Sequence, residues 1–429
     1  MSIVLANNVQ KIKGKMSVPG DKSISHRSIM FGAIAKGKTY VYNLLKSDDV
    51  YRTIDCFQKL GVNIYEKNGR IVIDSDGFSS FREPTDILYT GNSGTTSRLL
   101  LGILAGTDFY SVVSGDQSLN RRPFKRVTKP LEMMGGKFIG RNDNNFLPLS
   151  VIGNRLSGIE YELPIASAQV KSALIFAGLH ASGTTTIIEP IATRNHTEKM
   201  LMNFGGKLIR TENKIIIQGN QSLIASECFV PGDFSSAAFF IALALLVPNS
   251  ELIIENVSLN PTRTGLLDII QKMNGFFEIL DQRLAGGEEI GTIRVCSSQL
   301  VGTTISGDLV PRTIDEIPII ALLATQAEGI TVIKNAEELK VKESNRIDSV
   351  ATELQKLGAD IEPTEDGMII RGKTKLTGGQ VNSHDDHRIG MMLSIASCIA
   401  SGNVQINHPQ CVSISYPNFY EDLRRVIEN

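Results

Sequence analysis

The sequence has 429 residues, of which 42% are hydrophobic and 21% charged, with a formal net charge of −1 and no tryptophan. That length exceeds what one hydrophobic core usually supports, so two domains are expected. The even charge balance excludes whole-molecule attraction to nucleic acid, and basic residues have to be read where they stand.

In chain order, the first landmark is Gly20-Asp-Lys-Ser-Ile-Ser-His-Arg27, which follows the strand-like Met16-Ser-Val-Pro and opens a long apolar helical pattern. A helix start leaves backbone N–H groups unpaired and its dipole favours anions. Here Lys22, Ser23 and Arg27 share that end within about one turn. Comparable openings recur at Gly91-Asn-Ser-Gly-Thr, Ser167-Ala-Gln, Gly232-Asp-Phe-Ser-Ser, Asp315-Glu and Asp386-His-Arg, spaced 65–83 residues apart. Each leads into an apolar helix. In most units a β-branched strand follows (Lys38–Leu45, Gly183–Pro190, Glu251–Val257, Ile330–Ala336, Asn403–His408). Charged, amphipathic helices then close the units at Tyr51–Gly61, Arg122–Gly136, His196–Gly206, Gly265–Gly275, Asn345–Gly358 and at the end of the chain, to Asn429. A helix apolar on every side is buried, and one with a polar face lies at the surface. Polar stretches at Asn142–Asn145 and Thr364–Gly367 are predicted to be hairpin turns.

Six copies divide into three and three, and Val230-Pro-Gly232 echoes Val18-Pro-Gly20. One domain is therefore expected at 20–231 with repeats 1–3, and a second from 1–19 plus 232–429 with repeats 4–6. The hinge falls near 19–20 and 231–232, and ligands are expected in the cleft between the halves. Five scattered cysteines without CxxC spacing fit a reducing compartment and argue against a disulfide framework or zinc site. The start Met1-Ser-Ile-Val-Leu-Ala lacks signal-peptide character, and the longest apolar run, Ala237 to Pro248, is too short for a bilayer. A cytoplasmic protein with no membrane or nucleic-acid partner is expected.

The polar groups at the six openings are of one kind. Gly91-Asn92-Ser93-Gly94-Thr95 offers a glycine turn and hydroxyls suited to phosphate or carboxylate. Arg122-Pro123 places a guanidinium before a helix start, Ser167-Ala168-Gln169 supplies hydroxyl and amide groups, and Lys342, Glu343 and Arg346 stand within about one turn of each other. Any one of these alone reads as a surface feature; at equivalent positions of a repeat they read as one anion site. Gly20-Asp-Lys-Ser23 resembles the end of a nucleotide-binding loop, but that reading is disfavoured, because Asp21 separates Gly20 from Lys22 and the G-x-x-x-x-G-K-[ST] spacing is missing.

Together, Pro19–Arg27, Gly91–Thr95, Arg122-Pro123, Ser167–Gln169, Asp315, Val341–Arg346 and Asp386–Arg388 resemble the 5-enolpyruvylshikimate-3-phosphate synthase family, in its order, over nearly the whole chain. Ala166-Ser-Ala-Gln169 and Thr193-Arg-Asn-His-Thr197 are similar to the second bacterial class. The related UDP-N-acetylglucosamine enolpyruvyl transferases carry a cysteine where this chain has Gln117. The resemblance implies an α/β fold, a two-domain inverse α/β barrel of six βαβαββ units, closing on shikimate 3-phosphate and phosphoenolpyruvate. It implies a monomer that needs no metal and no cofactor. By the same resemblance Lys22, Ser23, Arg27, Ser167, Ala168, Gln169, Arg194, Asp315 and Lys342 would bind shikimate 3-phosphate. Lys22, Asn92, Gly94, Arg122, Gln169, Arg346 and Arg388 would bind phosphoenolpyruvate. Catalysis would rest on Asp315 as acceptor of the 5-hydroxyl proton, Glu343 as proton donor to the methylene, and Lys22. Two departures stand out: Ala168 replaces a usual serine, and Ile414 replaces a lysine found in many members. The resemblance also implies inhibition by glyphosate in competition with phosphoenolpyruvate, with alanine at the position of Gly94 in several tolerant members.

Overall fold

The computed structural model describes residues 2–428, so Met1 and Asn429, expected in the second domain and its last helix, lie outside the described residues. The chain divides into two compact units. One is Gly20–Val230 with Ala285–Glu288; the other comprises the residues up to Pro19, Pro231–Leu284 and the residues from Glu289 onward. Two details differ from the expected boundaries. Pro231 goes with the later residues, because the chain there is tied by Gly232 N–H to Asn256 O and by Asp233 N–H to Pro19 O. The four-residue tip of a later hairpin goes with the earlier residues, because buried Glu288 lies 2.7 Å from His196 Nδ1 and 3.4 Å from Lys199 Nζ.

In the 20–230 unit the main helices are α1 (Lys22–Ile34), α2 (Asp48–Lys59), α3 (Gly94–Leu104), α4 (Lys125–Met133), α5 (Ala168–His180) and α6 (His196–Asn203). The other unit has α7 (Phe234–Leu246), α8 (Gly265–Lys272), α9 (Ile317–Thr325), α10 (Arg346–Lys356), α11 (His387–Ile399) and α12 (Phe419–Glu428). The odd-numbered helices are buried along nearly their whole length, as the all-round apolar patterns require. The even-numbered ones bury one face; α12 buries Phe419, Leu423 and Val426 at helical spacing. Within the first unit α3 and α5 meet at backbone distance: a Cβ on Gly102 would lie 2.2 Å from Ala173 O, so only glycine fits. The Phe31 and Phe176 rings, 4.8 Å apart, join α1 to α5.

Each helix pair lies on a small mixed sheet. In the second repeat Leu88–Tyr89 runs parallel to Tyr110–Ser114, which pairs antiparallel with Phe146–Ile152, and that strand with Lys137–Gly140. The hairpin between the last two turns through Asn142, Asp143 and Asn144, all with positive φ, which short polar side chains tolerate. The first and fourth sheets take their parallel edge strand from a distant part of the chain. Ala35–Tyr42 receives Leu223–Ile224 and Glu227–Phe229, and Glu251–Ser258 receives Lys13–Ser17. The sixth repeat departs from the βαβαββ pattern. Among the described residues its sheet has three strands, and the neighbour antiparallel to Val404–Asn407 is Ser2–Val4, since the chain beyond Asn407 is spent on a 3₁₀ turn and α12. Some boundaries also move: the strand expected at Lys38–Leu45 spans Ala35–Tyr42, and α2 begins at Asp48, where Asp48 and Asp49 complement the helix start. Among the described residues no helix is long and apolar enough to cross a membrane.

Candidate active site

Five of the six buried helices are capped by the side chain that the sequence places at the opening. Asp21, Ser93, Ser167, Asp233 and Asp386 accept from backbone N–H groups of the first turn. Capping fixes the path of the chain into each helix, and with it the residues that follow.

In the 20–230 unit these residues form two connected groups. Lys22 pairs with Asp49 of α2. Arg27 is 4% exposed and is held by Ser23 O at 3.0 Å, Ser172 Oγ at 2.8 Å and Thr197 Oγ1 at 2.7 Å. Ser172 Oγ in turn donates to Ala168 O at 2.6 Å, so Ser23, Arg27 and the Ser167–Ala168 turn are joined. The second group surrounds the start of α3. Arg122 Nη2 donates to Asn92 Oδ1 at 2.8 Å, and Asn92 Nδ2 donates to Asp116 at 2.7 Å. Gln169 bridges Arg98 Nη1 at 2.8 Å and Thr95 Oγ1 at 3.2 Å. Gly94 faces both guanidinium groups, since a Cβ there would lie 2.7 Å from Arg98 Nη1 and 3.5 Å from Arg122 Nη1. Two guanidinium groups gathered at a helix N-terminus make a strongly anion-attracting corner. Arg194 follows Thr193, whose N–H and hydroxyl both donate to Glu189 Oε1 at 3.2 and 2.6 Å.

The remaining candidates belong to the other unit and meet at Arg346, which is 1% exposed. Its guanidinium contacts Glu343 Oε2 at 2.7 Å, Asp315 Oδ1 at 3.4 Å, and Asp386 at 2.8 and 3.2 Å. Burial opposes its charge, but Asp386 and Glu343 outweigh that and raise its pKa. Burial likewise pushes the Asp386 carboxyl up, yet Arg346 and the hydrogen bond it gives hold it below the ordinary carboxylate value. Asp386 also caps α11 by accepting from Arg388 N–H at 2.9 Å, and accepts from Ser344 Oγ at 3.1 Å. Burial lowers the Lys342 pKa, with Asp315 and Glu338 pulling the other way. Arg388 is 6% exposed, and its Nε and Nη1 are buried without a hydrogen-bond partner among the described residues.

Arg98 and Asp386 are not among the site residues that the sequence motifs imply. A signal for Arg98 exists: it is the one charge inside α3, a helix buried along almost its whole length. Asp386 has the dual role of cap and arginine anchor, and only the helix cap is visible in a linear motif.

Cationic side chains gathered at the starts of buried helices, with a carboxylate–arginine cluster on the same repeated α/β frame, define an enzyme that works on small anionic metabolites. The chain matches the family described as EPSP synthase (3-phosphoshikimate 1-carboxyvinyltransferase) over residues 6–423. Proteins named 3-phosphoshikimate 1-carboxyvinyltransferase from Bacillus licheniformis and Bacillus subtilis are each 55% identical to it over 421 residues, covering 98% of both chains. A solved EPSP synthase from Acinetobacter baumannii superposes with a TM-score of 0.87 at 44% identity, covering 99% of this chain and 97% of that one. The chain belongs to the EPSP synthase family, and it is a transferase with the two-domain α/β fold of that family.

Proposed function

We propose that this chain transfers the enolpyruvyl group of phosphoenolpyruvate to the 5-hydroxyl of shikimate 3-phosphate, releasing phosphate, and that the residues described above divide the work. Lys22, Ser23, Arg27, Ser167, Gln169 and Arg194 hold shikimate 3-phosphate, with Ala168 contributing backbone only. Lys22, Asn92, Gly94, Arg122, Gln169, Arg346 and Arg388 hold phosphoenolpyruvate. Asp315 takes the hydroxyl proton as that oxygen attacks carbon 2, and Glu343 delivers a proton to the methylene carbon. The tetrahedral intermediate then returns a methyl proton and expels phosphate, whose developing charge the arginines stabilise. Glu343 must hold a proton at the first step. Exchange of Glu343 for the substrate carboxylate at Arg346 would release it from its 2.7 Å ion pair. The hinge expected near 19–20 and 231–232 is part of the proposal.

The observation that supports this most is Arg388. A buried guanidinium with unpartnered donors is costly unless an anion completes it. The test is phosphate release from phosphoenolpyruvate and shikimate 3-phosphate by the intact chain and by Glu343→Gln. The variant keeps shape and hydrogen bonding but cannot deliver a proton, so kcat should fall by roughly 10²–10⁴ while shikimate 3-phosphate still binds. Retained turnover would remove Glu343 from this role, and release only with UDP-N-acetylglucosamine as acceptor would change the substrate.

A further inference from the structure

We propose that Lys171, acting with Glu189, is a positioning residue for the phosphate end of the acceptor substrate, because the pair fixes the loop that carries Arg194. This rests on the assignment of Arg194 to that phosphate.

Lys171 is fully buried in α5, and its Nζ lies 3.0 Å from Glu189 Oε1 and 2.8 Å from Glu198 Oε1. It also donates to Thr193 O at 3.4 Å. Glu189 Oε1 accepts from the N–H and hydroxyl of Thr193, so the residue before Arg194 is gripped at both backbone polar atoms and at its side chain. Glu198, in α6, accepts from Arg210 Nη1 at 3.0 Å, which balances two anions with two cations. The neighbours of these residues tie the far end of the loop: Thr197 Oγ1 lies 2.6 Å from Ser172 Oγ and accepts from Arg27 Nε at 2.7 Å. Residues 171–172 therefore clamp the loop 189–197 at both ends, against Glu189 and Thr193 on one side and Thr197 and Glu198 on the other. The same clamp holds Arg27.

A buried ion cluster adds little net stability over apolar packing, and α5 is otherwise lined by Ala173, Leu174, Ile175 and Phe176. An apolar residue at 171 would satisfy the core. It would leave the Thr193 carbonyl without the cation that orients it and Glu189 with Arg210 alone, at 3.5 Å, and so loosen the origin of the arginine on the loop.

The test uses the full chain with Thr193→Val, which exchanges the hydroxyl for a methyl group, together with Lys171→Met and an Arg194→Ala control. Each is assayed with shikimate 3-phosphate varied, with phosphoenolpyruvate varied, and with shikimate, which lacks the phosphate, as competitive inhibitor. Thr193→Val is expected to raise KM for shikimate 3-phosphate about tenfold, a charged hydrogen bond's worth. Its kcat, KM for phosphoenolpyruvate and inhibition constant for shikimate should stay within about twofold. Thr193→Ser should restore KM, and in the Arg194→Ala background Thr193→Val should add nothing. Lys171→Met should repeat the pattern wherever it folds. If Arg194→Ala raises this KM and Thr193→Val does not, the positioning role is overturned while Arg194 keeps its assignment. If Arg194→Ala leaves it unchanged, the assignment itself falls. Equal weakening of shikimate and its 3-phosphate by Thr193→Val overturns the proposal in favour of a general packing role.

Discussion

Gly94→Ala puts one methyl group against the guanidinium groups of Arg98 and Arg122. The new Cβ would sit 2.7 Å from Arg98 Nη1, so that guanidinium must retreat to an ordinary contact of 3.4 Å or more. Arg98 is 3% exposed, donates to Gln169 at 2.8 Å and lies over the Phe124 ring at 4.9 Å, so it has little space to move. Overpacking of this kind costs about 1–3 kcal/mol. Most of that should appear at the anion corner, because Arg122 Nη1 is the next atom met, at 3.5 Å. KM for phosphoenolpyruvate should therefore rise by between about fivefold and 150-fold. On the proposed assignment of phosphoenolpyruvate to this corner, the inhibition constant for glyphosate should rise by a larger factor. Both constants are read from initial rates of phosphate release on one enzyme preparation, with the melting temperature measured alongside. An unchanged KM with a lowered melting temperature would refute the reasoning, since the methyl would then strain the helix start and not the site. Equal rises in the two constants would show that Gly94 does not line the part of the corner that distinguishes them.

Arg388→Met should raise the melting temperature of the ligand-free protein, because it removes a buried charge whose Nε and Nη1 have no hydrogen-bond partner among the described residues. The same variant should lose affinity for phosphoenolpyruvate by roughly tenfold or more, and a lowered melting temperature would show that Arg388 is structurally paired. Acid should destabilise the fold through two buried histidines. His180, stacked on Phe78 with ring centroids 3.4 Å apart, is pushed down to about 3 by burial. His26 is held well below 6.5 by burial, then by Lys22 and Arg27. Both are neutral when folded and titrate near 6.5 when unfolded. Their contribution is complete above about pH 6.5 and is lost as pH falls toward the folded values, by up to about 1.4 kcal/mol per pH unit each. Urea titrations over that range should give a flatter pH profile for His180→Leu than for the parent, and parallel profiles would sink the argument.

The alternation of buried and half-buried helices is legible along the chain, because all-round apolar runs such as Phe234–Leu245 and striped ones such as Phe419, Leu423 and Val426 carry their own environment in their spacing. The caps are legible too, since Asp21, Ser93, Ser167 and Asp386 stand directly before the helices they close. The partner of an edge strand is not. Nothing local in Lys13–Ser17 points to Glu251–Ser258, or in Ser2–Val4 to Val404–Asn407, because strand pairing is settled by distant backbone that neither segment encodes. Hence the sixth repeat was expected to be complete. Ion clusters hide for the same reason. Lys171 reads as one polar residue in an apolar run, and its meaning depends on Glu189 and Glu198, which arrive from a later strand end and helix. Glu288 sits on a glycine-rich hairpin whose sequence gives no hint that its carboxylate is buried beside His196.

The borrowed edge strands also set an order of events during synthesis. Lys13–Ser17 leaves the ribosome early, but its parallel partner Glu251–Ser258 is made only after residues 20–230. The nascent chain thus carries an unpaired strand through most of translation, a state prone to mispairing with other chains. Its composition suits that wait: Lys13 and Lys15 alternate with Gly14 and Met16, and like charges on an open edge discourage association. Ser2–Val4 waits longer still, until Val404–Asn407 is made. The unit that holds residues up to Pro19 and from Pro231 is therefore sealed by strands made far apart in time, while the sheet of the first repeat in the 20–230 unit can be completed as soon as Glu227–Phe229 is available.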